Sequence, residues 1–157
     1  MRGLRWSAYS PEALEFVRHM HFNEKRVIME LVEIVTVLAL LQYLGFGILV
    51  GRARARFGVK APATTGHESF ERLYRVQMNT LEQLVIFLPA LWMAARHVQG
   101  VWVAGVGAIF ILGRIIYLRA YTRDPASRSA GYALSIGPAL ILLVMALIGA
   151  AKHLVQA

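Results

Sequence analysis

Four apolar stretches, at about residues 29–50, 70–98, 102–121 and 129–154, dominate this sequence of 157 residues. Each is long enough to cross a hydrocarbon core of about 30 Å as a helix. Backbone polar groups find no water in lipid, so a spanning segment must satisfy them internally, as a helix does. The pattern predicts an all-α fold: an integral membrane four-helix bundle occupying residues 29–157. Composition agrees, with 57% hydrophobic and only 17% charged residues and a mean hydropathy of +0.52; a soluble domain is more polar. A net charge of +8 would suit a nucleic-acid binder. The basic residues sit at the ends of the apolar runs, however, which is a topology pattern. The expected partner is the lipid bilayer, and no nucleic acid is expected. With no cysteine, the chain has no disulfide, no thiolate nucleophile and no Cys-type metal centre. Thiol chemistry would need a thiol brought by a cosubstrate, and no metal is expected.

Residues 1–28 differ from the rest of the chain, mixing arginine, glutamate and histidine with few apolar residues. Three readings apply: a disordered tail, a short interfacial helix, or sequence upstream of a true start at Met29. A dispensable extension is favoured. His19 and His21, two residues apart, would face apart on a helix and do not suggest a metal site.

Sidedness follows from charge. Four spans put both termini on one side and the first and third loops on the other. The loop side carries Arg52, Arg54, Arg56, Lys60, Arg72, Arg75, Arg119, Arg123 and Arg128; from Met29 onward the termini side carries only Arg96 and Lys152. The first and third loops are therefore expected in the cytoplasm, which for a bacterial chain makes the inner membrane the host. Arg52 to Arg56 read either as this topology signal with headgroup anchoring, or as a source of one arginine that folds over an anionic ligand.

The second span begins as a charged segment, FERLYRVQMNTLEQLVIFLP, and runs unbroken into apolar sequence. Arg75, Asn79 and Glu82 fall within roughly 60° of arc on one helix face, with Arg72 beside them and Gln77 nearly opposite. A cation, an amide and a carboxylate aligned at membrane depth are costly unless covered by protein or wetted in a cavity. On the third span Arg114, Tyr117 and Tyr121 share a face at i, i+3 and i+7. Tyrosines at a membrane boundary are commonly belt residues, but an arginine on their own face favours a polar site. Arg128 follows the Asp124-Pro125 turn. These groups all lie toward the cytoplasmic end. Together they suit a small ligand with several carboxylates and one ammonium, and glutathione matches that inventory. A guanidinium beside its thiol would favour the thiolate. The same residues also read as an intramembrane pairing network that fixes helix register.

The core ER-x-x-R-x-Q-x-N-x-x-E over residues 71–82 resembles the MAPEG family (membrane-associated proteins in eicosanoid and glutathione metabolism). So do the later R-x-x-Y-x-x-x-Y, Arg128 and the P-x-T-T-G of residues 62–66. The likeness covers about residues 29–157 and is to the microsomal glutathione transferase and leukotriene C4 synthase-like members. It implies a homotrimer with glutathione bound as cosubstrate between protomers. It further implies that Arg54, Arg75, Gln77, Asn79, Glu82, Arg114, Tyr117 and Tyr121 bind glutathione. Arg128 takes the position credited with stabilising the thiolate, which makes it the catalytic residue. Gln83 and Ala55 depart from the tyrosine and second arginine of the leukotriene C4 synthase pattern. The function expected is conjugation of glutathione to a lipophilic electrophile, or reduction of a lipid hydroperoxide. The competing class is a non-catalytic lipid-binding or scaffold protein of the same fold; an ion pathway along the charged stripe is a third.

Overall fold

The first helix does not stop where its apolar residues stop. α1 (Pro11–Arg56) continues through Arg52, Ala53, Arg54, Ala55 and Arg56, all strong helix formers. It ends at Gly58, whose φ of 66° is the left-handed conformation glycine adopts without penalty. The Val59 amide then donates back to the Arg54 carbonyl at 3.1 Å, the closing bond of a glycine-terminated helix. The computed structural model describes the backbone of residues 11–156, and side chains from residue 29 onward together with Glu12 and Glu15. The readings of residues 1–10, and the side chains of His19 and His21, lie outside the described residues.

α2 (Glu68–Ala95) begins at His67, whose imidazole accepts the Ser69 amide at 3.2 Å; Glu68 and Glu71 occupy its first turn, where the helix dipole favours carboxylates. α2 runs through Pro89 and stops at Ala95, three residues short of the end of its apolar run, where the His97 and Val98 amides both turn back to the Ala94 carbonyl. α3 (Gly100–Arg123) ends at Asp124, whose carboxylate caps a 3-10 turn (Pro125–Arg128) by accepting the Ala126 amide at 3.0 Å. α4 (Ser129–Gln156) completes an up-down-up-down arrangement. Among the described residues four helices are long and apolar enough to cross a membrane, and the chain is an integral multi-pass membrane protein.

Helix contact sets the geometry of the site. α3 and α4 meet backbone to backbone: a Cβ on Gly113 would strike the Leu134 carbonyl, and one on Gly131 would strike the backbone of Tyr117. Small residues permit this approach, and in lipid such packing, rather than apolar burial, is what associates helices. Between α2 and α3 the rings of Phe87 and Phe110 stack at 3.8 Å. Leu84, Leu91, Val32, Val35 and Leu142 close the core around them. Large apolar side chains such as Leu44, Val85, Leu112 and Leu147 point outward instead, the reverse of a soluble bundle.

Candidate functional site

A continuous chain of polar contacts links the second and third helices. Arg75 Nη1 lies 3.6 Å from Glu82 Oε1. The other oxygen of Glu82 accepts from Asn79 Nδ2 at 3.1 Å. Asn79 Oδ1 in turn accepts from Arg114 Nη1, also at 3.1 Å. The i, i+4 and i+7 spacings on α2 make the first part possible, since they bring all three side chains to one face. The last contact needs α3 alongside.

Arg114 is the buried anchor of this chain, with 0% of its surface exposed. A guanidinium does not shed its proton, and burying one without partners costs several kcal/mol. α2 supplies two partners: Asn79 and the Thr80 hydroxyl, which accepts from Arg114 Nη2 at 2.7 Å. The ring of Tyr117 lies 4.3 Å from the guanidinium carbon, in cation–π range. Tyr117 is itself buried and stacks on Tyr121 at 5.4 Å. Arg114 Nε is left without a partner, as is the buried Oε1 of Gln83 one turn along α2 from Asn79.

At its outer end the chain reaches the protein surface. The side chains of Arg75 and Glu82 are 57% and 52% exposed. Glu82 stands near the middle of α2, roughly 20 Å from its Ala95 end at 1.5 Å per residue. Arg128 occupies the 3-10 turn, exposed, donating to the Pro125 carbonyl at 2.8 Å and lining a cavity of about 410 Å³ with Ser129 and Tyr132. Because Gly131 abuts Tyr117, Arg128 one turn earlier stands at the Tyr117–Tyr121 end of α3.

Two expected residues lie off this cluster. Gln77 is on the other side of α2, with its Nε2 3.0 Å from where a Cβ on Gly47 of α1 would stand. Arg54 closes its own loop, donating to the Val59 and Ala63 carbonyls at 3.3 and 2.8 Å with its guanidinium 4.6 Å from the Phe70 ring centroid. Arg72, which shares the charged stripe, satisfies the last carbonyls of α3 at Thr122 and Arg123 and pairs with Glu68. Thr80 escapes sequence reasoning altogether. A helical threonine ordinarily bonds its own backbone, and this one does, donating to the Val76 carbonyl at 2.7 Å. Only its neighbour Asn79 hints that its face meets a buried cation.

Fold and site together define a polytopic helical membrane protein with a polar site on the α2–α3 face, anchored in the core by Arg114 and opening outward at Arg75 and Glu82. The model of the MAPEG family matches residues 32–148, and the chain belongs to that family. It is 49% identical over 115 residues to an uncharacterized protein of Synechocystis sp., an alignment covering 73% of this chain and 84% of the relative. Human microsomal glutathione S-transferase 2 is 37% identical over 116 residues, 74% of this chain and 77% of that one. Bovine leukotriene C4 synthase is 33% identical over 123 residues, 78% and 82% respectively.

Proposed function

We propose that this protein is a membrane-bound glutathione transferase that holds its cosubstrate as thiolate and delivers it to a lipophilic electrophile or a lipid hydroperoxide. The observation that carries this reading is the exposed Arg75–Glu82 pair in the first half of α2, tied through Asn79 to the buried Arg114. Charges at that depth need a polar occupant or a covering protein surface. Glutathione offers two carboxylates, an ammonium and amide groups. Arg75 suits a carboxylate, Glu82 the ammonium, and Asn79 a remaining hydrogen bond. Arg114 acts as a positioning residue, holding Asn79 in one rotamer beneath the ligand.

Arg128 is the thiolate-stabilising group. Its guanidinium lies at the tyrosine end of the cluster beside the 410 Å³ cavity, where it would offset the negative charge on sulfur and lower the thiol pKa. In conjugation the thiolate attacks an electrophilic carbon, a sulfur–carbon bond forms, and the displaced electron pair leaves on the electrophile and takes a proton. In peroxide reduction the thiolate takes the distal oxygen of the hydroperoxide, releasing an alcohol. A second glutathione then yields the disulfide and water. Tyr117 and Tyr121 line the approach to Arg128. Arg54 and Gln77 face away from their own protomer's cluster. In a homotrimer of the kind the family resemblance implies, a neighbour would cover the exposed Arg75–Glu82 pair.

The deciding experiment is the ultraviolet thiolate difference spectrum of detergent-purified protein on adding glutathione, for wild type and Arg128→Ala. The expected result is a thiolate band in the wild type that Arg128→Ala abolishes while binding persists. Binding without a thiolate band in the wild type moves the catalytic role away from Arg128. Failure of the wild type to bind glutathione sinks the transferase and promotes a lipid-binding scaffold of the same fold.

A further inference from the structure

The three arginines that close α1 do not face the same way. Arg54 is locked onto the first loop by the Val59 and Ala63 carbonyls and the Phe70 ring. Arg52 and Arg56, four residues apart, share the other face of the helix and are exposed. Neither has an ion-pair partner among the described residues. Both line a cavity of about 430 Å³ between the last turns of α1 and the first turns of α2. Ser69 contributes a hydroxyl there, and Leu49, Phe57 and Leu73 form an apolar floor. Phe57 is fixed by its stack on His67, at 3.7 Å and 12°. The nearest carboxylates are committed elsewhere: Glu68 pairs with Arg72, and Glu71 accepts the Gly66 amide.

We propose that this groove binds an anionic phospholipid, with the phosphate between Arg52, Arg56 and Ser69 and the glycerol and upper acyl chain on Leu49, Phe57 and Leu73. Two guanidinium forks without a carboxylate partner, that of Arg56 lying 5.5 Å from the Phe57 ring centroid, match phosphate oxygens. The apolar floor identifies the source of the phosphate. It continues from Leu49 onto Ile48 and Leu44, large side chains that face outward along the first span. A free phosphate has no use for such a floor, whereas a lipid has its chain there and its headgroup at the span's end. A general positive-inside signal needs only charge on that side; it needs neither a shaped cavity nor the division of labour between Arg54 and the other two. The site uses none of the residues assigned to glutathione and stands independently of that assignment.

The test is native mass spectrometry of the full chain in mild detergent, titrated with phosphatidylglycerol, phosphatidylcholine or inorganic phosphate. Phosphatidylglycerol is expected to be retained in preference to phosphatidylcholine and to resist millimolar phosphate. Arg52→Gln with Arg56→Gln should weaken phosphatidylglycerol about 30-fold, whereas Arg119→Gln with Arg123→Gln, on the same membrane face, should change it less than about twofold. If the first double variant is not monodisperse, the single substitutions decide, each with an expected loss of about fivefold. Undiminished phosphatidylglycerol binding in these variants, equal retention of the two lipids, or displacement by millimolar phosphate overturns the proposal.

Discussion

The hydrogen bond from Arg114 to Thr80 is the most informative single contact to break, because it crosses from α3 to α2 and is sealed on all sides. Thr80→Val keeps the side-chain volume while removing the acceptor that Arg114 Nη2 meets at 2.7 Å. Both residues are 0% exposed, so no water replaces the lost partner. Hydrogen bonds to charged groups contribute about 1.5–3 kcal/mol in soluble proteins. Interhelical bonds in membrane proteins average only about 0.6 kcal/mol, with a maximum near 1.7. A short, charge-assisted bond at a fully buried site belongs at the top of the second range, giving about 1.5 kcal/mol. Thr80→Val also removes a bond to the Val76 carbonyl within its own helix. That loss occurs whether or not Arg114 is present, so a double-mutant cycle cancels it. The assay is reversible unfolding in mixed micelles for wild type, Thr80→Val, Arg114→Met and the double variant. Methionine fills most of the arginine's space without its charge. Thr80→Val should cost about 2 kcal/mol in the wild type and under about 0.5 kcal/mol beside Arg114→Met. A coupling below about 0.5 kcal/mol would refute the claim that this bond fixes α2 against α3.

Other outcomes rest on the same geometry. Gly113→Ala and Gly131→Ala force a Cβ into the facing backbone of Leu134 and Tyr117 and should each lower stability by about 1–3 kcal/mol, while Gly45→Ala, with nothing within 4 Å, stays within about 0.5 kcal/mol or stabilises. Thermal unfolding in detergent reads both. Arg54→Ala frees the carbonyls at Val59 and Ala63 and should speed limited proteolysis within the loop of residues 57–67 several-fold, with the rest of the chain equally resistant. Glu82→Gln keeps an acceptor for Asn79 but loses the charge, so calorimetry should show glutathione binding weakened about tenfold. A change under about twofold would take Glu82 out of the ligand's reach.

Much of this architecture is written in one-dimensional patterns. The spans are legible because a bilayer imposes a length, and α2's polar face is legible because Arg75, Asn79 and Glu82 repeat at helical spacing. The Arg114–Tyr117–Tyr121 face of α3 is read the same way, and the two tyrosines do stack. What sequence spacing cannot supply is the relation between helices. Arg72 reads as part of the charged stripe, yet it spends its donors on α3's terminal carbonyls, because that end of α3 happens to lie beside it. Arg52, Arg54 and Arg56 read as one basic cluster, but loop closure by Gly58 draws only the middle one inward. Thr80 carries no signal because its importance resides entirely in a residue on another helix. The end of α1 is similarly hidden: apolarity marks where lipid ends, and arginine and alanine carry the helix beyond that point.

The position of the Arg75–Glu82 pair ties assembly to ligand binding. A charged side chain costs up to about 2.5–3.5 kcal/mol on insertion scales, the full amount only at the centre of a span, and Glu82 stands nearer that centre than Arg75 does. Arg114 does not relieve the cost, since two of its nitrogens meet Asn79 and Thr80 and its unpartnered Nε is buried away from the exposed pair. The outward half of the pair therefore needs cover from beyond the protomer. On the glutathione reading, a neighbouring subunit and the ligand supply that cover together, so each favours the other. Glutathione at 100 times its dissociation constant would then stabilise the assembled form by about 2.7 kcal/mol. A scaffold using the same face would gain nothing from glutathione. Thermal stability of the purified protein with and without glutathione thus separates the two readings without any electrophile being known. An unchanged midpoint at saturating glutathione would mean that the pair is covered by protein alone.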